Sequence, residues 1–356
     1  MSIDKYLDDL EARIDPAVED GLRAEWQAFT DGIFKGDIFS PKRSRASKPG
    51  CEWSKVLVND TLEDYDLMAL QQFQACSSCL EKGEGRLMAV RSNYGTGILP
   101  SLFGAELFIM DRAMDTLPTT KPVSGRDRIQ QMLDRGAPDL AGGLGGRTLE
   151  MGARFAGMTK KHPRISRYVT IYHPDLQGPM DVCELLWGSA IFLDLVDHPD
   201  MVQALLTLIT ETYIRFMRRW NEVVPGPAGY AVHWQMMHKG TIMLRDDSAM
   251  NLSPQMFEEF IEPYDRRLLR EFRGGAFHFC GRGDHYIHRL PEMGGVNALA
   301  LSQPEYNDME RVFRYTVDRG IRLLALPRKA AEEALSRPVT SPPRSFPSAR
   351  PTPAPA

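Results

Sequence analysis

His278 and Cys280 stand two residues apart in Ala276-Phe-His-Phe-Cys280, and the alternation of a strand puts both side chains on one face. An imidazole nitrogen and a thiolate sulfur so placed can converge on one zinc ion. Two ligands do not make a site. A catalytic zinc takes three protein ligands and keeps an open position, so His285, Cys183, Glu184 or His173 would have to complete this one. Zinc that binds a substrate thiol lowers its pKa and presents it as a thiolate. The alternative is a buried cysteine beside a histidine that hydrogen-bonds within the core. Asp246 and Asp247 offer paired carboxylates for acid–base work or for holding N–H groups, against the alternative of a solvated turn. Arg91, Arg245 and Arg282 suit a carboxylate or phosphate, which a guanidinium grips bidentately, or else they form ordinary salt bridges.

These residues need a scaffold that gathers them. From Arg86 onward, short apolar runs ending in polar residues alternate with helical stretches, the rhythm of β-α units. Strands are predicted at 86–90, 168–172, 240–244, 276–280, 298–301 and 321–326, with helices at 201–220, 253–272 and 327–337. Eight strands would close a (β/α)8 barrel, the remaining two falling near 103–110 and 228–236. Barrel enzymes carry their chemistry where strands end. There stand Arg91 to Tyr94, His173 to Asp175, Arg245 to Asp247, His278 to His285, and Ser302 to Glu305. Arg91, Tyr94, His173, Arg245, Arg282 and Gln303 are thus the expected substrate-binding residues, with Asp246, Asp247 and His278 catalytic.

Residues 1–85 read as an N-terminal helical layer, with a helix at 62–80 ended by Gly83 and Gly85, and 86–337 as the barrel. The glycine-rich run 137–152 reads as a loop. The tail 338–356 is too rich in proline to pack a core and is expected to be disordered. Cys76 and Cys79 share a helical face without a second ligand pair and read as packing, as His233 and His238 read as structural histidines.

With 356 residues, 43% of them apolar, the chain can bury a large core, and a net charge of −4 gives no basic field for nucleic acid or membrane. A small-molecule substrate is expected. The acidic, amphipathic start at Met1-Ser-Ile-Asp-Lys-Tyr lacks the form of a signal peptide, no long apolar run suggests a membrane span, and five scattered cysteines suit reduced thiols. Together they predict a cytoplasmic protein.

At Gly178-Pro-Met-Asp-Val-Cys-Glu-Leu-Leu-Trp-Gly188, at 246–263 and at His278-Phe-Cys-Gly281, the chain resembles the uroporphyrinogen decarboxylase superfamily, over roughly residues 86–330. The resemblance implies a (β/α)8 barrel. The superfamily holds both decarboxylases and cobalamin-dependent methyltransferases that move methyl groups from corrinoid proteins to thiols. Genuine decarboxylases carry an N-terminal motif of the form Met-Arg-Gln-Ala-Gly-Arg, and residues 1–85 contain nothing like it. The His-x-Cys-Gly of 278–281 is instead similar to the methyltransferase branch, where the His and Cys bind zinc. That branch has a further zinc-binding cysteine after the last strand, whereas no cysteine follows Cys280 here. His285 and Glu184 are then the first replacements to consider, and the expected metal set is His278, Cys280 and His285. The implied activity is zinc-dependent methyl transfer between a methyl-corrinoid on a partner protein and a thiol. The alternatives are cofactor-free decarboxylation of a carboxylated tetrapyrrole, with Asp246 or Asp247 on pyrrole N–H groups and arginines on the acids, and a non-catalytic tetrapyrrole-binding barrel.

Overall fold

All six predicted strands form, and all are parallel, in the computed structural model, which describes residues 3–226, 229–336 and 346–347. In chain order the strands are β1 (Ile38–Phe39), β2 (Ala89–Val90), β3 (Glu106–Phe108), β4 (Thr119–Lys121), β5 (Thr170–Ile171), β6 (Tyr230–His233), β7 (Met236–Lys239), β8 (Ile242–Arg245), β9 (Gly275–Phe279), β10 (Val296–Leu301), β11 (Arg322–Leu324) and β12 (Phe346–Pro347). β8 to β11 make one parallel sheet, and β2 pairs with β5. Beyond β5 the chain runs on beside β8, where the Gly178 N–H donates to the Arg245 carbonyl (2.7 Å) and the Met243 N–H to His173 Nε2 (3.0 Å). The two sheets thereby form a single six-strand wall.

Strict alternation explains how the wall is buried on both sides. Val90, Leu244, Phe277, Phe279, Leu299, Leu301 and Leu323 pack into the helix layer, while Ala89, Met243, Ala276, Ala298, Ala300 and Leu324 face the other way. Alanines on that inner face leave room. It is filled by Leu22, Trp26 and Phe29 of the helix Pro16–Asp31, by Phe39, and by Val232, Met236 and Met237 of a hairpin built from β6 and β7.

That hairpin differs from expectation. The stretches near 103–110 and 228–236 do hold strands, but β3 pairs antiparallel with β4 and β6 antiparallel with β7. The cause is connection length: Trp234 and Gln235 alone join β6 to β7, and a two-residue link joins only antiparallel neighbours, since parallel ones need a crossover. Among the described residues the parallel pairing is therefore a four-strand sheet and two separate pairs, β2 with β5 and β1 with β12, rather than a ring of eight.

The helices mostly follow their signals. The helix expected at 62–80 is Tyr65–Lys82, opened by the Asp64 carboxylate on the N–H groups of Asp66 and Leu67 and closed by Gly83 at φ 61°. The one expected at 201–220 is Pro199–Val223, and that at 327–337 is Arg328–Ser336. The stretch 253–272 instead forms two helices, Pro254–Phe260 and Glu262–Glu271, because Pro263 has no N–H to offer the carbonyl one turn back. The glycine run is a loop only to Leu144; Gly145 opens the helix Gly145–Lys160, and a Cβ on Gly145 would lie 2.2 Å from the Leu140 carbonyl oxygen.

The expectation for 338–356 falls outside the described residues except at β12, which pairs parallel with β1. No described helix is long and apolar enough to cross a membrane.

Candidate functional site

β8, β9 and β10 end together, and their register sets Arg245 beside His278 and His278 beside Ala300. His278 Nδ1 lies 2.8 Å from the Ala300 carbonyl oxygen. A carbonyl can only accept, so Nδ1 carries the proton and Nε2 presents its lone pair. That lone pair has two neighbours, Cys280 Sγ at 3.5 Å and Asp247 Oδ1 at 3.8 Å. The Asp247 carboxylate is held by the Cys280 N–H at 2.7 Å, and Cys280 Sγ reaches Ser302 Oγ at 3.5 Å. The turn bearing Asp247 is fixed in its own right: Asp181, in the first turn of the helix Pro179–Trp187, accepts the N–H groups of Asp247 (3.0 Å) and Ser248 (2.8 Å).

One nitrogen, one sulfur and one carboxylate oxygen, all within 4.8 Å of one another, form the only such group among the described residues. This donor set fits zinc, which takes His, Cys and Asp ligands and keeps a fourth position open in catalytic sites. Without a cation the trio is poorly reactive. Burial and then the Asp247 carboxylate push the Cys280 thiol up to about 12, and burial outweighs Asp247 to lower the pKa of His278.

The structure separates the two aspartates that the sequence pairs. Asp247 is half-exposed beside His278, whereas Asp246 is fully buried toward the helix layer, hydrogen-bonded to Asp265. Two carboxyls can meet in this way only where at least one keeps its proton, and neither has another partner among the described residues. Burial drives both up, Asp265 to about 8. Asp181 is also raised, by burial and then by Asp247 and Asp246. Gly178 permits this crowding, since a Cβ there would lie 2.4 Å from Asp246 Oδ1.

His285 lies apart from the trio: its Nε2 hydrogen-bonds the Leu252 carbonyl at 2.9 Å. The loop before it is turned away by Gln303, which accepts the Gly281 N–H (2.6 Å), and by Asn307, which accepts those of Gly283 and Asp284 (2.8 and 3.0 Å). Gln303 thus shapes the loop, and the exposed Arg282 pairs with Asp284 at 2.7 Å. Glu184 accepts from Ser248 Oγ. Cys183 is buried in the helix-side core, where desolvation keeps its thiol protonated, and Tyr94 is buried there too.

Arg91 and Arg245 are gathered, but onto Asp175, at 3.0 and 2.6 Å. Burial opposes the charge of Asp175, yet the two guanidinium groups, Arg245 foremost, hold its pKa below the usual carboxylate range. Asp175 also borders a cavity of about 290 Å3 lined by Gly95, Met110, Met114, Leu117 and Pro118. Nearby, His173 donates from Nδ1 to the Pro174 carbonyl (2.7 Å), and burial, then Arg245, lowers its pKa to about 3. His233 and His238 lie 2.6 Å apart, Nδ1 to Nε2, and His238 Nδ1 donates to the Lys239 carbonyl at 2.9 Å. Both are deeply buried. Cys76 is a packed thiol, with Sγ 3.6 Å from the Ala89 carbonyl.

Asp247 is the residue whose place at the trio the spacing could have revealed: it lies two beyond Arg245, which sits beside His278, just as Cys280 lies two beyond His278. No known protein family matches the chain, and no curated protein matches it in sequence. Among solved structures, a methyltransferase from Methanosarcina mazei is similar to it, with a TM-score of 0.60 over 92% of each chain at 16% identity. At that identity the likeness is one of fold.

Proposed function

We propose that the chain is a zinc-dependent methyltransferase that moves a methyl group between a corrinoid carrier and a thiol. The observation that carries this reading is the Asp247–His278–Cys280 trio, with Nδ1 of His278 committed to Ala300 and Nε2 left free toward the other two. A methyltransferase fold counterpart supports it, and with that likeness the six-strand wall is read as part of a (β/α)8 barrel.

His278 Nε2, Cys280 Sγ and an Asp247 oxygen would hold the zinc. Zinc bound there lowers the pKa of a substrate thiol and presents it as a thiolate. The residues around it do the rest. The Ala300 carbonyl keeps the imidazole in the liganding tautomer, and Asp181 holds the Asp247 turn through two backbone N–H groups. Met110, Met114, Leu117 and Pro118 give the cavity beside Asp175 an apolar wall against which a small organic group would pack. The corrinoid carrier would supply the methyl group and would keep the cobalt–carbon bonding pair, while the thiolate held at Asp247, His278 and Cys280 would supply the pair for the new sulfur–carbon bond. A corrinoid protein is accordingly the expected partner and a small thiol the expected substrate.

Tetrapyrrole decarboxylation finds less support, because Asp246 is inaccessible and Arg91 and Arg245 are already taken up by Asp175. The test is metal analysis of the purified protein by mass spectrometry. One zinc per chain that is lost in His278→Ala is the expected result, and a wild-type protein that takes up no zinc when supplied with it overturns the reading.

A further inference from the structure

The turn joining β6 to β7 is made of Trp234 and Gln235, at φ 46° and 66°. Both sit in the left-handed region, which glycine and asparagine enter readily and which a bulky side chain enters only against a steric cost. The tip is also stapled in place, since the Gln235 carbonyl accepts the Leu87 N–H at 2.9 Å. A strained turn fixed this firmly puts one side chain somewhere particular.

Trp234 reaches the base of the trio. Its ring meets the His278 imidazole nearly edge-on, with centroids 4.7 Å apart at 79°, and the Arg245 guanidinium lies over it at 5.1 Å. Ala276, Ala298 and Ala300 on the neighbouring strands give the hairpin that room. The imidazole is thus constrained twice, by a hydrogen bond at Nδ1 and by an aromatic ring packed nearly perpendicular to it. Only Nε2 remains to face Cys280 and Asp247.

We propose that Trp234, at the tip of the inner hairpin, is a positioning residue that fixes the ring orientation of His278 and through it the metal affinity of the trio. The affinity part rests on reading the trio as a zinc site; the orientation part does not. Groups that orient a metal-binding histidine typically change affinity about 10- to 100-fold when removed.

Two substitutions separate the ring from the turn. Trp234→Asn removes the ring but suits a left-handed turn, so the hairpin is retained; Trp234→Phe keeps an aromatic edge. Zinc competition titrations on the full chain are expected to show affinity lowered at least ~10-fold in Trp234→Asn and within ~3-fold of wild type in Trp234→Phe. Leu205→Ala, in the helix layer, serves as a control that lowers the melting temperature without changing zinc affinity. In parallel, 15N NMR of the metal-free proteins, with the His278 signals assigned by their loss in His278→Gln, reads the tautomer directly. The wild type and Trp234→Phe should show one form protonated at Nδ1, and Trp234→Asn a mixture of both. Equal zinc affinity in Trp234→Asn and wild type, or an unchanged His278 spectrum in Trp234→Asn, overturns the positioning role. Failure of the wild type to bind zinc, with the tautomer still dependent on Trp234, would sink the metal reading and leave the positioning role standing.

Discussion

Two groups of buried ionisable side chains lie on opposite sides of β8. On the inner side are His173, His233 and His238; on the helix side are Asp181, Asp246 and Asp265. Desolvation is the leading influence on all six, and it makes each group neutral, but neutrality means a missing proton in one and a retained proton in the other. The two groups therefore respond to pH in opposite directions. Unfolded histidines take up protons below about pH 6.5, whereas His238 resists to about 4 and His173 to about 3, so their burial costs stability as pH falls through that window. Folded Asp265 keeps its proton up to about 8, while the unfolded carboxyl releases it near pH ~4, so its burial costs stability as pH rises between those values. One physical cause thus gives two slopes of opposite sign.

The largest expected effect removes the acid side. Asp265→Asn keeps the shape and a hydrogen bond to Asp246 but needs no proton. It should stabilise the chain more at pH 8 than at pH 5, with a difference of about 4 kcal/mol, measured by urea unfolding at both values. An equal effect at the two pH values would refute the assignment. Next, Asp247→Asn, adjacent to Asp246 in the chain but half-exposed, should weaken zinc binding on the order of 100-fold while changing stability by less than ~0.5 kcal/mol. That contrast separates the trio from the buried acids behind it. On the inner side, His238→Gln should reduce the stability lost between pH 6.5 and 4.5 by ~2 kcal/mol, whatever its effect on stability at neutral pH. A parallel acid-unfolding curve for this variant would show that the histidines do not carry the slope. The smallest effect concerns Cys280: with its pKa up near 12, the metal-free thiol should alkylate slowly, and Asp247→Asn should quicken it several-fold at pH 8. Mass-spectrometric labelling of Cys280 reads this directly.

Alternation made the wall legible in the sequence: apolar runs such as 276–280 and 298–301 announced six strands, and their polar ends announced where the site would gather. What stayed hidden depends on contacts between distant segments. Arg91 and Arg245 read singly as substrate anchors because nothing local reveals that Asp175 occupies both. Asp246 and Asp247 read as a pair because they are adjacent, although adjacent residues at a strand end point to opposite faces. His285 looked well placed by proximity to Cys280, but Gln303 and Asn307, some twenty residues on, turn its loop away. The stretch 228–236 was ambiguous and open to a further barrel strand, yet the strand it holds pairs antiparallel with one immediately after it, inside what looked like the approach to the next parallel strand.

The inner hairpin has a consequence for assembly. Its two strands are joined by two residues, and hairpins of that kind form in roughly 1–10 μs, whereas pairing β2 with β5 or β8 with β9 must first close long loops of chain, which is slow. The two sides of the Trp234–His278 contact are therefore fixed over very different lengths of chain: the tip by residues next to one another in sequence, the imidazole by strands that distant segments must bring together.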